Sequence, residues 1–317
     1  MSRKIRSTAI LAKIETTAGT LATPASTDAI LISDASFDVD YKNVDRNLIR
    51  PYFGHSGQLV GTRNVKIGFT CELFGSGTAG TAPAWGALLQ ACAFAETVAA
   101  GVSVEYTPVT SGLKTISILY HLDGITHTAL GCMGNVTFGM KDGERPTMKF
   151  EFIGIDGGPA AASMPTTSYT NWKVPAVVNS INSNKIKLGG AYAAAAVTGG
   201  TDYCSRGFEI SMANDVKYLP LLGCTSVDIF DRKPTSSIAL ELTAAQEVAM
   251  RADINANTKT SMSLLHGLTA GNKVLMFAPN VARSNPKYED YEGSVLVAMD
   301  LALEPLTGND EIRIVSL

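Results

Sequence analysis

The sequence predicts a mainly β protein. It reads as two tandem antiparallel β-sandwich or β-barrel-like domains, residues 1–160 and 161–317, each with a flanking α-helix. Three observations carry that reading. Apolar and polar residues alternate at period two through most of the first half. The second half repeats the landmarks of the first. Each half contains one short segment with helical spacing.

The alternation is plain in five segments. Phe37, Val39 and Tyr41 alternate with Asp38 and Asp40, and Val65, Ile67, Phe69, Cys71 and Leu73 alternate with Lys66, Gly68, Thr70 and Glu72. The same pattern runs through 116–122 and 148–152, and through Val295 to Leu303 near the end. Such segments are half-buried antiparallel strands. Asp123-Gly124 and Asp142-Gly143 have the chemistry of tight hairpin turns. They predict hairpins joining 115–122 to 125–130, and 134–141 to 146–154.

Trp85, Leu88, Leu89 and Cys92 recur at helical spacing behind Pro83, with Thr81 in position to cap. The Gly-rich stretch from Gly75 to Thr81 lacks the lysine of a phosphate loop and reads as a flexible lead-in. In the second half Thr243 and Gln246 have capping-box spacing, and Ala245, Val248, Ala249 and Ala252 form a small apolar stripe. Residues 154–171, with Gly157-Gly158-Pro159, read as a linker or surface crossover.

The repeat is the most informative feature. At an offset of 169 residues, 51–73 lies without gaps over 220–242. Pro51 then meets Pro220, Gly54 meets Gly223, Arg63 meets Arg232, and Glu72-Leu73 meets Glu241-Leu242. Upstream, Phe37-Asp38-Val39 resembles Phe208-Glu209-Ile210. Downstream, Lys114-Thr115 and His121 lie over Lys259-Thr260 and His266 at offset 145, where mismatched apolar phase points to a register off by one.

Composition narrows the function. The 317 residues carry 45% apolar and 17% charged side chains, the profile of a soluble globular protein. The 26 basic and 29 acidic residues nearly cancel, in each half as well as overall. That balance disfavours tight nucleic-acid binding, which needs a surplus of phosphate-neutralising cations. Five cysteines without a CxxC argue against a disulfide framework or a zinc site and for reduced, mostly buried thiols. No apolar run is long enough for a signal core or a spanning helix, so the chain is expected to stay in the cytoplasm where it is made. His121 and His127 flank a hairpin and read as surface polar positions. No catalytic, metal or cofactor motif is present; the expectation is no enzyme and no cofactor.

A loop of about 20 residues follows the first main strand, roughly Lys42 to Thr62, and its copy runs from about Ala213 to Asp231. Loops of that length are usually functional, and apolar groups on them mark contact surfaces. The candidate contact residues are Arg50, Pro51, Tyr52 and Phe53 in the first copy, and Leu219, Pro220, Leu221 and Leu222 in the second.

Three strings then resemble a known family: STAILAKIETTAGTLATPASTDAILIS (7–33), GSGTAGTAPAWGALLQACAF (75–94) and VEYTPVTSGLKTISILYHLDGITHTALGCMGNV (104–136). They are similar to the major tail tube proteins of long, non-contractile-tailed bacteriophages. The resemblance is dense over 7–155 and weaker beyond. It implies a structural virion protein of the tail, assembled in the host cytoplasm from copies of itself. The long loop would touch the next ring, and DNA would pass through the lumen without specific binding. Tail terminator, tail tip and tape-measure proteins are the implied partners. The chain is longer than a minimal tube subunit. With two similar domains, three chains are expected to form each ring with pseudo-sixfold symmetry, rather than six chains with the second half as decoration. A two-domain carbohydrate-binding or capsid-decoration protein is the alternative class, and a tube from a secretion or contractile injection apparatus is a third.

Overall fold

The computed structural model describes residues 2–317. Strands take up 53% of the chain and helices 6%, so the class is mainly β.

Eight strands form one continuous antiparallel sheet. From one edge to the other they are Val274–Tyr291, Ser294–Leu303, Thr235–Leu240, Ser205–Ser211, Ile125–Lys141, Thr147–Ala161, Arg63–Glu72 and Ser33–Tyr41. The first four belong to the second half of the chain and the last four to the first. The joint between them is the pairing of 137–141 with 207–211.

Strand order within each half is the same. Ser33–Tyr41 pairs with Arg63–Glu72, that with Thr147–Ala161, and that with Ile125–Lys141. Ser205–Ser211, Thr235–Leu240, Ser294–Leu303 and Val274–Tyr291 follow in the same succession. The last strand of each succession then bends, and its first half joins a second layer. Ile125–Lys141 turns to pair with Ile116–Leu122, which pairs with Thr8–Ile14. Val274–Tyr291 turns to pair with Thr260–His266, which pairs with Ile186–Ala193. Matching bulges fall at Ala129/Cys132 and Ala278/Val281.

Alternation explains why the sheet packs. Val65, Ile67, Phe69 and Cys71 point to one side, with Phe150 and Phe152, Val136 and Phe138, Phe208 and Ile210, Ile238 and Leu240, and Met299 and Leu301. All are buried in one hydrophobic cluster that spans both halves. Phe69 lies between Phe150 and Phe152, with ring centroids 5.8 Å from each. Burying an apolar side chain of this size contributes roughly 1.5–3 kcal/mol, so the shared core holds the two halves together.

Several elements differ from the sequence reading. Residues 125–141 form one bent strand rather than two, because the bulge turns it without breaking it. The strand after it continues to Ala161, so 154–161 is sheet, not linker; Ile125 and Thr126 supply its last partners. The first helix is only Gly86–Gln90, with no side-chain cap. Thr81 does not cap it. Its stripe is nonetheless buried, and Trp85 Nε1 donates to Phe74 O at 2.8 Å. The second helix, Ala244–Asn255, has the expected capping box, with Gln246 N donating to Thr243 Oγ1 at 3.3 Å. Its alanine-valine stripe faces outward, however. Ala245, Val248, Ala249 and Ala252 are exposed and Met250 is buried, since the sheet lies under the other side. The Gly75–Thr81 stretch is tied to the second half: Gly77 N donates to Gly271 O, and Gly75 N to Asn272 Oδ1. A Cβ at Gly271 would lie 2.5 Å from Gly77 C, so glycine is needed at that crossing.

The repeat registers are now fixed. The 169 offset holds across Arg63–Glu72, since Ile67 and Ser236 face the equivalent partners Phe152 and Leu301. The later offset is 144, one residue from the sequence alignment: Ile116 faces Cys132 as Thr260 faces Val281. Phe37 corresponds to Ile210 rather than Phe208, as their partners Ile67 and Ser236 require. Both strands carry a bulge with one residue at positive φ, Asp34 at 55° and Gly207 at 98°.

His121 is buried, contrary to its surface reading. Its Nδ1 lies 2.6 Å from Thr126 Oγ1, and its Nε2 has no partner. Burial holds its pKa below the ordinary imidazole value, as it does for His266. The unfolded chain therefore takes up these protons first. The contribution of these two histidines to stability is fully present above about pH 6.5 and is lost as pH drops below it. The thermal midpoint is expected to be lower at pH 5 than at pH 7.5, and His121→Gln should narrow that difference in a calorimetric pH series.

Candidate functional site

The sheet's second face is polar and concave. A shallow depression lined by Asp38, Lys66, Thr70, Lys149 and Glu151 lies over the first half. Its counterpart over the second half is lined by Glu209, Ser237, Lys287, Glu289 and Asp300. Pleating puts these residues opposite the core phenylalanines.

Cations on this face are matched with carboxylates. Lys66 pairs with Asp40 at 3.2 Å, Lys141 with Glu209 at 3.1 Å, Lys149 with Glu151 at 2.8 Å, and Arg206 with Glu289 at 3.5 Å. The Glu151 contact raises the Lys149 pKa, so that ammonium stays charged and engaged. Each exposed pair is worth little to stability. Together they leave few free positive charges to hold a polyanion. Among the described residues of this face, Lys287 is the cation with no acidic partner.

Both long loops are arms projecting from the sheet. Residues 42–62 form a loose hairpin held by Val44–Asp45 against Gln58–Leu59 and by Gln58 Nε2 donating to Asp45 Oδ1 at 2.6 Å. Arg50 stacks over the Tyr52 ring at 5.9 Å, while Ile49 and Phe53 are fully exposed. The second arm is a regular hairpin, Asn214–Leu221 with Cys224–Arg232, and its tip exposes Leu221 and Leu222. Leu219 and Pro220 pair with Ser226 and Thr225 just below the tip. The eight sequence-nominated residues thus form two separate tips.

The arms differ in their setting. Asn214 docks the second arm on the first half, its Nδ2 donating to Cys92 O and Gly134 O at 3.0 Å. The arm lies against Ile125–Lys141 and Thr147–Ala161. The first arm stands clear of the sheet: residues 42–62 are exposed throughout except Ser56.

The arginines aligned by the repeat hold the arm roots. Arg63 meets the buried Asp156 carboxylate at 2.6 Å. Arg232 meets Glu311 at 2.9 Å with both side chains buried, and donates to Val109 O at 2.8 Å. Sequence reasoning aligned these arginines without finding their partners, which lie 79 or more residues away.

Cys71, Cys92 and Cys132 are buried, and burial pushes their thiols up, away from the reactive thiolate. Cys204 and Cys224 are exposed, so the thiols are mostly but not all buried. Among the described residues no cluster of His, Cys, Asp or Glu could hold a metal ion, and no helix is long and apolar enough to cross a membrane.

The fold defines a mainly β protein with two exposed apolar arm tips. The sequence profile of the phage tail tube protein family matches residues 6–313, and the chain belongs to that family. No curated protein matches it.

Breaking one buried ion pair leaves its partner unpaired, at a cost of about 3–5 kcal/mol. Arg232→Ala is therefore expected to lower the unfolding midpoint well beyond Arg63→Ala, whose guanidinium is half exposed. Chemical denaturation of both variants measures the difference.

Proposed function

We propose that three chains form each ring of a phage tail tube, that rings stack through the two arm tips, and that the concave face lines the channel through which DNA leaves the capsid. The observation that carries this reading is the eight-stranded sheet, polar on one face and unpaired at both edges. On this reading 1–160 and 161–317 are two copies of one tube domain, so three chains give six domains.

Geometry favours three chains. An even number of strands keeps adjacent chains antiparallel at the seam. With strands about 4.8 Å apart and tilted by roughly 35–45°, three chains of eight strands close at a diameter of roughly 45–52 Å. Side chains leave room for a duplex inside. Six chains would make a barrel twice as wide. The charge pairing on the concave face suits a wall past which phosphates slide without being held.

Arg50, Pro51, Tyr52 and Phe53, with Leu219, Pro220, Leu221 and Leu222, are the proposed inter-ring contacts. Contiguous exposed apolar groups of this kind mark interaction surfaces. A sixfold ring with a decorating second half is disfavoured by a joint that lies inside one continuous sheet. Assembly would take place in the host cytoplasm, with terminator, tip and tape-measure proteins closing the tube's ends and setting its length.

Mass measurement of the smallest ring, with end-on electron microscopy, is expected to give three chains. Six chains would retain the tube and overturn the ring composition. Tyr52→Asp and Leu221→Asp each place a charge at a tip expected to be buried between rings. Both are expected to give folded subunits that fail to elongate; tubes of normal length from either would overturn its arm's assignment.

A further inference from the structure

The joint inside the chain is a template for the joint between chains. The last strands of the two successions, Ile125–Lys141 and Val274–Tyr291, correspond through their equivalent neighbours. Thr137 faces Lys149 as Lys287 faces Ala298. Phe37 corresponds to Ile210, as the partner equivalences above require. Within the chain, Thr137 faces Ser211, Phe138 faces Ile210 and Gly139 faces Glu209. Carried to the free edges, that register sets Lys287 opposite Asp38, Tyr288 opposite Phe37, and Glu289 opposite Ser36.

We propose that Val274–Tyr291 of one chain pairs with Ser33–Tyr41 of the next in this register, closing the ring; the proposal rests on the tube reading. Four observations support a second copy as the occupant. Among the described residues neither Lys287 nor Asp38 has an ion-pair partner in its own chain, and the register brings these two together. Tyr288 is 66% exposed although it lies where the buried Phe138 lies in the internal joint. Phe37 is half-buried on His127, ring centroids 4.4 Å apart, and can extend that stack to Tyr288. The exposed arm, 42–62, also leaves the sheet at this edge, where the neighbour's equivalent strands would receive it as the first half receives the second arm.

The edge is guarded against wrong pairings. The Asn285-Pro286 irregularity interrupts the regular ladder just before Lys287, and proline offers no N–H. A slip of one residue would reverse the face of every side chain and separate the charges. The seam is therefore short, about 287–291 against 34–38.

Facing residues in antiparallel strands have Cα atoms roughly 4.5–5.5 Å apart, within disulfide range. The test uses the full chain with the exposed Cys204 and Cys224 changed to serine, then Asp38→Cys with Lys287→Cys. Oxidised assemblies are expected to give covalent closed trimers on non-reducing gels, and neither single variant should. Assembled tubes in which this pair stays reduced while Asp38→Cys with Glu289→Cys crosslinks would overturn the register and leave the tube standing. A charge exchange reads the same contact independently. Lys287→Asp is expected to block ring closure in a folded subunit, and adding Asp38→Lys should restore it; failure of that rescue with both variants folded would overturn the pair. A wild-type chain that never forms rings would overturn the tube reading itself.

Discussion

Backbone hydrogen bonding at a sheet edge is the constraint on which this molecule turns. An open antiparallel sheet satisfies its interior donors and acceptors and leaves one row unpaired at each side. The core, the arms and the charge pairs are arranged around an eight-stranded sheet of that kind. Its apolar face is sealed by the second layer and the short helix. Its polar face is open except where the second arm lies across it. Among the described residues its two outer edges, Ser33–Tyr41 and the end of Val274–Tyr291, have no further strand beside them.

The internal repeat gives that constraint its answer. Pairing of 137–141 with 207–211 joins the two halves as sheet. The second arm docks across the same joint through Asn214. An edge strand, an arm and a receiving inner strand therefore form one unit, met once inside the chain. The free edges and the free arm have the same parts, and the proposed closure by a second copy rests on that correspondence. Membership of the phage tail tube protein family agrees with a role in assembly.

Charge serves the open face differently from the core. The ion pairs there are exposed and add little to stability. Their effect is on what the face repels or retains. The buried Arg232–Glu311 pair has the opposite role: it is shielded from solvent and fixes the root of the second arm to the segments around Val109 and Glu311. One residue type thus anchors the structure at the arm roots, while lysines and carboxylates cancel each other on the concave face.

The sequence by itself determined the β class, most strand cores, the hairpin turns, the capped second helix and the order of the repeat. These depend on local alternation, turn chemistry and spacing, which are written along the chain. The arm tips were legible too, because apolar residues such as Phe53 and Leu222 stand in segments without alternation. Tertiary structure alone decided the rest. It set which face of Ala244–Asn255 is covered, since a weak stripe of alanines is overruled by the packing of Met250. It set the registers, since bulges at Asp34 and Gly207 shift strands by amounts that alternation does not encode. It found Asp156 and Glu311 for the two arginines, and it placed His121 inside. Above all it joined the halves into one sheet: a pairing between strands some 70 residues apart leaves no local trace, because backbone groups, not side-chain patterns, make it.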